Sequence, residues 1–78
     1  MEECLVDVKF KVTFKNEEDE IITETITVEL DGFCEGYYID SGSLEISIEH
    51  FLDNCTLQDI QYHIVGNEVK EIIDIKEI

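Results

Sequence analysis

Two stretches of strict alternation, separated by a run made mostly of acids, constrain this chain more than anything else in it. Over residues 5 to 14, Val6, Val8, Phe10, Val12 and Phe14 fall on one side, while Asp7, Lys9, Lys11 and Thr13 fall on the other. Over residues 21 to 30, Ile22, Ile26, Val28 and Leu30 are opposed by Thr23, Thr25, Thr27 and Glu29. A period of two with β-branched and aromatic residues is the signature of half-buried strands. The intervening Lys15-Asn16-Glu17-Glu18-Asp19-Glu20 breaks the period, so the two strands should form a hairpin. Glu24 is the misfit on the apolar side, expected at a strand end or bulge, because an unpaired buried carboxylate is costly.

Further along, the signals are shorter. Asp31-Gly32 reads as a turn. Gly36-Tyr37-Tyr38-Ile39, Asp40-Ser41-Gly42-Ser43 and Leu44-Glu45-Ile46-Ser47 together read as a second, short hairpin. At Ile48 the period changes, since Ile48, Phe51, Leu52 and Cys55 are spaced as one helical face. Ile60, Tyr62 and Ile64, a Gly66-Asn67 turn, and Val69, Ile73 and Ile75 complete a last hairpin. The expected fold is α+β, a single domain over residues 1–78 with a mainly antiparallel sheet of five or six strands and one short helix, in the order β-β-β-β-α-β-β.

At 78 residues the core is small, because a chain of this size buries only roughly 60% of its unfolded surface. Hydrophobic residues make up 44% and are spread along the chain, which separates it from a disordered acidic tail. Cys4, Cys34 and Cys55 form neither a C-x-x-C pair nor an even secreted-type set. No disulfide is therefore expected, Cys34 and Cys55 read as buried structural thiols, and a reducing cytoplasm fits. No apolar run reaches membrane-spanning length, and Met1-Glu2-Glu3 lacks the positive start of a signal peptide. Twelve isoleucines with no alanine, arginine or proline suggest an AT-rich genome. Such genomes also enrich lysine, and only five lysines stand against twenty acids. The acidity thus has another cause.

Between Lys15 and Lys70 the chain carries fourteen carboxylates and not one lysine or arginine. A field of one sign opposes compact folding by self-repulsion, so its presence points to a cationic partner. Exposed acids two apart on a strand are ~6.8 Å apart, a spacing similar to that of successive phosphates. A globule of this length would be about 30 Å across, and duplex DNA of that length carries roughly 17 charges, comparable with the net charge of −15. The candidate contacts are Glu17, Glu18, Asp19, Glu20, Glu29, Asp31, Glu35 and Asp40, with Tyr37 and Tyr38 as an aromatic anchor.

Other chemistries find little support. The acids do not follow a calcium-loop spacing, and the cysteines and histidines do not follow a zinc-ligand spacing, so no metal or cofactor is expected. His50 and Cys55 lie off one another's helical face, and no nucleophile motif or glycine-rich phosphate loop occurs, so an enzyme is not expected. Ile21, Val65, Ile72 and Ile78 fall off the expected core faces and would support a homodimer if they met on one sheet face.

In size, charge and layout the chain resembles the small acidic inhibitors of phages and mobile elements, including anti-CRISPR proteins and other DNA mimics. The resemblance carries over no individual residue. It implies an inhibitor in the cytoplasm of a bacterial host that occupies the nucleic-acid channel of a basic partner, with the DNA-binding surface of an RNA-guided nuclease complex as the expected target. An immunity or antitoxin-like binder of a basic toxin and a homo-oligomeric structural protein of a phage or mobile element are the alternatives.

Overall fold

The first strand, β1 (Glu2–Asn16), turns the side chains of Val8, Phe10, Val12 and Phe14 to one side, where all four are buried. It pairs antiparallel with β2 (Ile21–Glu35), in unbroken register from Glu2 opposite Cys34 to Lys15 opposite Ile21. This computed structural model describes residues 2–35 and 38–78. A two-residue β3 (Tyr38–Ile39) adds to the end of β2, and β4 (Val69–Glu77) pairs antiparallel with the other side of β1, giving the order β3-β2-β1-β4. Helices α1 (Ser41–Asn54) and α2 (Leu57–His63) connect the two edges of the sheet.

Both helices lie on the apolar face. Leu44, Ile48, Phe51, Leu52 and Cys55 of the α1 segment pack on the core, with the Phe51 ring 4.9 Å from that of Phe10. Ile60 and Ile64, one helical turn apart, are buried beside Phe10, Val12, Phe14, Ile26, Val28 and Val69. The opposite sheet face is uncovered by any described element. No described helix is long and apolar enough to cross a membrane.

The expected count of five or six strands with one helix is wrong. The sheet has three long strands and the two-residue β3, and there are two helices. Leu44–Ser47, expected to be a strand, belongs to α1, whose N-cap is Asp40: its carboxylate accepts from the Ser43 backbone N–H at 3.2 Å. Ile60, Tyr62 and Ile64, expected on one side of a strand, are split by α2, which buries both isoleucines and leaves Tyr62 85% exposed. A reciprocal capping box starts that helix, with Thr56 Oγ1 accepting from Asp59 N–H and the Asp59 carboxylate accepting from Thr56 N–H. Gly66 does turn the chain, at φ +88°, but it joins α2 to β4. In β4, two register shifts put Ile72 rather than Ile73 toward the core. Glu24 sits in regular ladder opposite Val12 with no bulge and is half-buried.

The cysteine expectation also needs correction. Cys4 and Cys34 form a disulfide, with S–S 2.08 Å and Cα–Cα 6.1 Å. Their wide sequence spacing carried no hint of this because the ladder itself brings them together: Cys4 faces Gly32 and Cys34 faces Glu2, making the two cysteines diagonal neighbours on the helix-covered side. The bond lies beyond the buried core, at the end of the hairpin where Leu5 is 64% and Phe33 45% exposed. Cys55 remains a free, half-buried thiol. Its pKa is raised by burial and by the neighbouring Asp59 carboxylate.

Candidate protein-binding surface

The fifteen-residue strands make the molecule long, with extents of 47 × 21 × 19 Å. The acids are distributed along that length according to which strand or helix holds them.

At one end, Glu17–Glu20 close the β1–β2 hairpin, all exposed. Asn16, just before them, is buried, and its side-chain Oδ1 accepts from the backbone N–H groups of Glu18 and Glu20 at 2.9 Å each. Its amide Nδ2 donates to Asn67 Oδ1 at 3.5 Å, which ties the tip to the α2–β4 turn. Asp19 takes a left-handed backbone, φ 62°, and its carboxylate pairs with Lys70 at 2.8 Å. A side-chain hydrogen bond to Lys70 and its charge hold the Asp19 carboxyl below the usual carboxylate range. Glu18 is pushed the other way by a side-chain hydrogen bond with Glu20 and by that neighbour's charge. The tip is therefore a fixed display of carboxylates, one of them neutralised.

Glu29 and Asp31 lie on the uncovered face of β2, opposite Asp7 and Leu5 of β1. From Ile21 at the tip to Asp31 is ten residues, about 33 Å at ~3.3 Å per strand residue. Glu35 ends β2, and Asp40 caps α1. The predicted acidic residues are thus divided between the hairpin tip and the far half of β2 with the start of α1, and Asp40 already has a structural role. Tyr38 pairs through its backbone with Glu35, and Tyr37 lies outside the described residues.

Strand pairing gathers the lysines. Lys9, Lys11 and Lys15 alternate onto the uncovered face of β1, and β4 places Lys76 directly opposite Lys11 on that same face. Four of the five lysines, which come from the two ends of the sequence, thereby share one sheet surface, Lys9, Lys11 and Lys76 in its middle and Lys15 at the tip end, opposite Glu71 and close enough for its charge to act on Asp19. They are interleaved with Thr13, Thr23, Thr25 and Thr27 and with six carboxylates: Glu3, Asp7, Glu29, Asp31, Glu71 and Asp74. Apart from Glu35, the remaining thirteen carboxylates lie on other parts of the protein, where Lys70 is the only base. The uncovered sheet face is therefore nearly balanced in charge, and the rest of the protein carries almost all of the net −15. The topology thus sets Glu29 and Asp31 of the base-free stretch among the lysines and leaves its other described acids in base-poor surroundings.

Between β2 and α1 lies a cavity of about 300 Å³, lined by Leu30, Asp31, Ile46, Ser47, His50 and Phe51. No sequence signal pointed to it, because its apolar wall combines a strand residue with helix residues that an extended reading of Leu44–Ser47 would have placed elsewhere. Among the described residues, no group of His, Cys, Asp and Glu side chains has the geometry of a metal centre. Comparison with known proteins finds no matching protein family, no matching curated protein and no matching solved structure.

Proposed function

We propose that this chain is an inhibitor that acts by binding rather than by catalysis. Its base-poor surface docks in the lysine- and arginine-lined groove of a nucleic-acid-binding protein and competes there with nucleic acid. The observation that supports this reading is the segregation of charge by the fold, which gathers Lys9, Lys11, Lys15 and Lys76 on one sheet face and leaves the hairpin tip and the helix-covered side with Lys70 as their only base, Lys15 acting on Asp19 from the sheet face. Such a surface steers and accelerates encounter with a cationic groove.

The dimensions refine the kind of nucleic acid that is imitated. A net charge of −15 over 47 Å is one charge per roughly 3 Å. Duplex DNA carries one per ~1.7 Å of axis and a single strand one per ~3.4 Å. The elongated shape replaces the 30 Å globule expected from chain length, and with it the match to a full duplex. The charge density fits one strand.

The target class to try first is an RNA-guided nuclease complex in a bacterial cytoplasm, as the anti-CRISPR resemblance implies. The test follows binding of fluorescent single-stranded and duplex DNA to the purified complex by anisotropy, while this protein is titrated in. Competitive displacement, lost when Glu17, Glu18 and Glu20 are changed to lysine, is the expected result. Binding to the complex that leaves DNA affinity untouched would defeat the mimicry reading.

A further inference from the structure

The two edges of this sheet are treated differently. β4 is interrupted by two register shifts and carries Lys70 and Lys76, features that discourage another strand from pairing with it. β2 forms the opposite edge and contains no lysine, proline or register shift against β1. At its far end, the outward backbone groups are capped by the α1 region: Phe33 N–H donates to Ser43 Oγ at 3.1 Å, Phe33 C=O accepts from Asp40 N–H at 2.7 Å, and Asp31 C=O accepts from Ser47 Oγ at 2.5 Å. The same alternation directs the N–H and C=O groups of Thr23, Thr25, Thr27 and Glu29 outward. Among the described residues these have no partner. The apolar cavity between Leu30, Ile46 and Phe51 opens where the serine caps end and this free edge begins.

We propose that the free edge of β2 from Thr23 to Glu29 is a strand-docking site for an extended basic segment of a partner protein, whose terminal apolar side chain enters the Leu30–Ile46–Phe51 cavity. Main-chain hydrogen bonds would supply the register, and the cavity one point of side-chain selection. The basic character follows from complementarity. Glu24 and Glu29 lie within this edge and Asp31 just beyond it, β2 carries no base, and Glu45 and Glu49 of α1 flank Ile46 on the helix's exposed surface. A second copy is a poor occupant, because it would bring another −15 against the same edge. This inference rests on the reading that the partner is cationic. It goes further by naming the element that docks and the form of the segment it receives.

The probe is a synthetic nine-residue peptide alternating lysine with valine and ending in leucine, added to the isotope-labelled full chain. A control peptide of the same charge has two valines replaced by proline. Amide hydrogen exchange at Thr23, Thr25, Thr27 and Glu29 should slow at least tenfold with the first peptide and stay unchanged with the control. Ile46→Glu, at a position already 69% exposed, should weaken binding of the first peptide about tenfold while leaving the free protein's spectrum intact elsewhere. Equal binding of both peptides without protection of the four amides would overturn edge docking while leaving charge-driven binding in place. Absence of any protection at millimolar peptide overturns the proposal outright. Concentration-dependent protection of the same amides without peptide, accompanied by a dimer in light scattering, would assign the edge to a second copy and also overturn it.

Discussion

At the scale of single residues, Asn16 governs the acidic tip. One buried side chain satisfies two backbone N–H groups and reaches across to Asn67. Asn16→Ala would leave those donors buried or force the tip to rearrange, at a cost of about 1–3 kcal/mol, measurable as a lower urea midpoint. The carboxylates around it act in opposite directions. Because the folded Glu18 pKa is raised, its ionised form opposes folding at neutral pH, and that opposition disappears as pH falls through its folded pKa. Asp19, lowered by Lys70, contributes stability above its unfolded value of ~4, and this is lost as pH falls through its still lower folded pKa. Lys70, raised by Asp19, contributes below its unfolded value and loses that contribution as pH rises through the folded one. Acidification from neutral pH should thus first raise the Tm and then lower it below pH ~4. Glu18→Gln should flatten the rise, and Asp19→Asn the final fall. A Tm that declines steadily from pH 7 would contradict the assignment of repulsion to Glu18 and Glu20.

Among the elements, the β1–β2 hairpin was readable because period-two alternation ran for ten residues in each strand and a single helix-covered face enforces it. Alternation is also what obscures the helices in the sequence. Ile60, Tyr62 and Ile64 alternate, yet Ile60 and Ile64 are also i and i+4, and the Thr56–Asp59 capping box was present to decide between the two readings. Likewise Leu44 extends the Ile48, Phe51, Leu52, Cys55 face backward by one turn, and Asp40 with Ser43 supplies the cap. The Cys4–Cys34 bond and the sharing of one face by Lys11 and Lys76 could not be read, since both depend on which strands are neighbours and in what register. The bond makes a prediction at this scale. It closes a loop with a sequence separation of 30, for which chain entropy gives up to about 3–4 kcal/mol. Cys4→Ser with Cys34→Ser should lower stability by up to that amount and speed amide exchange most at the far end of the hairpin, in the early residues of β1 and the last residues of β2. The core around Phe10, Phe14 and Ile60 should keep its protection until global unfolding. In a reducing cytoplasm both thiols are favoured, so partner binding should persist in reductant if the tip and the middle of β2 carry it.

For the molecule as a whole, shape and charge together determine how salt acts. A net −15 spread over 47 Å differs from the same charge on a sphere, because the two acidic ends are well separated. The screening length is about 10 Å at 0.1 M salt, far shorter than the roughly 33 Å between the tip and Asp31 along β2. Even modest salt therefore uncouples the ends, and the repulsion that survives is local: Glu18 against Glu20 at the tip, Asp7 opposite Glu29 on the uncovered sheet, and Lys11 opposite Lys76 beside them. The Asp19–Lys70 pair and the attraction of Lys15 to Asp19 and to Glu71 opposite it are screened too, but as exposed attractions they offset little of this. Tm should accordingly climb steeply between about 0.01 and 0.1 M salt, where the Debye length falls from ~30 to ~10 Å, and flatten beyond that. Glu17, Glu18 and Glu20 changed together to glutamine should raise Tm at 0.01 M and shrink the climb, with little effect at high salt. A Tm independent of salt over this range would mean that the carboxylates are already neutralised by close partners, contrary to a surface on which Lys70 stands almost alone.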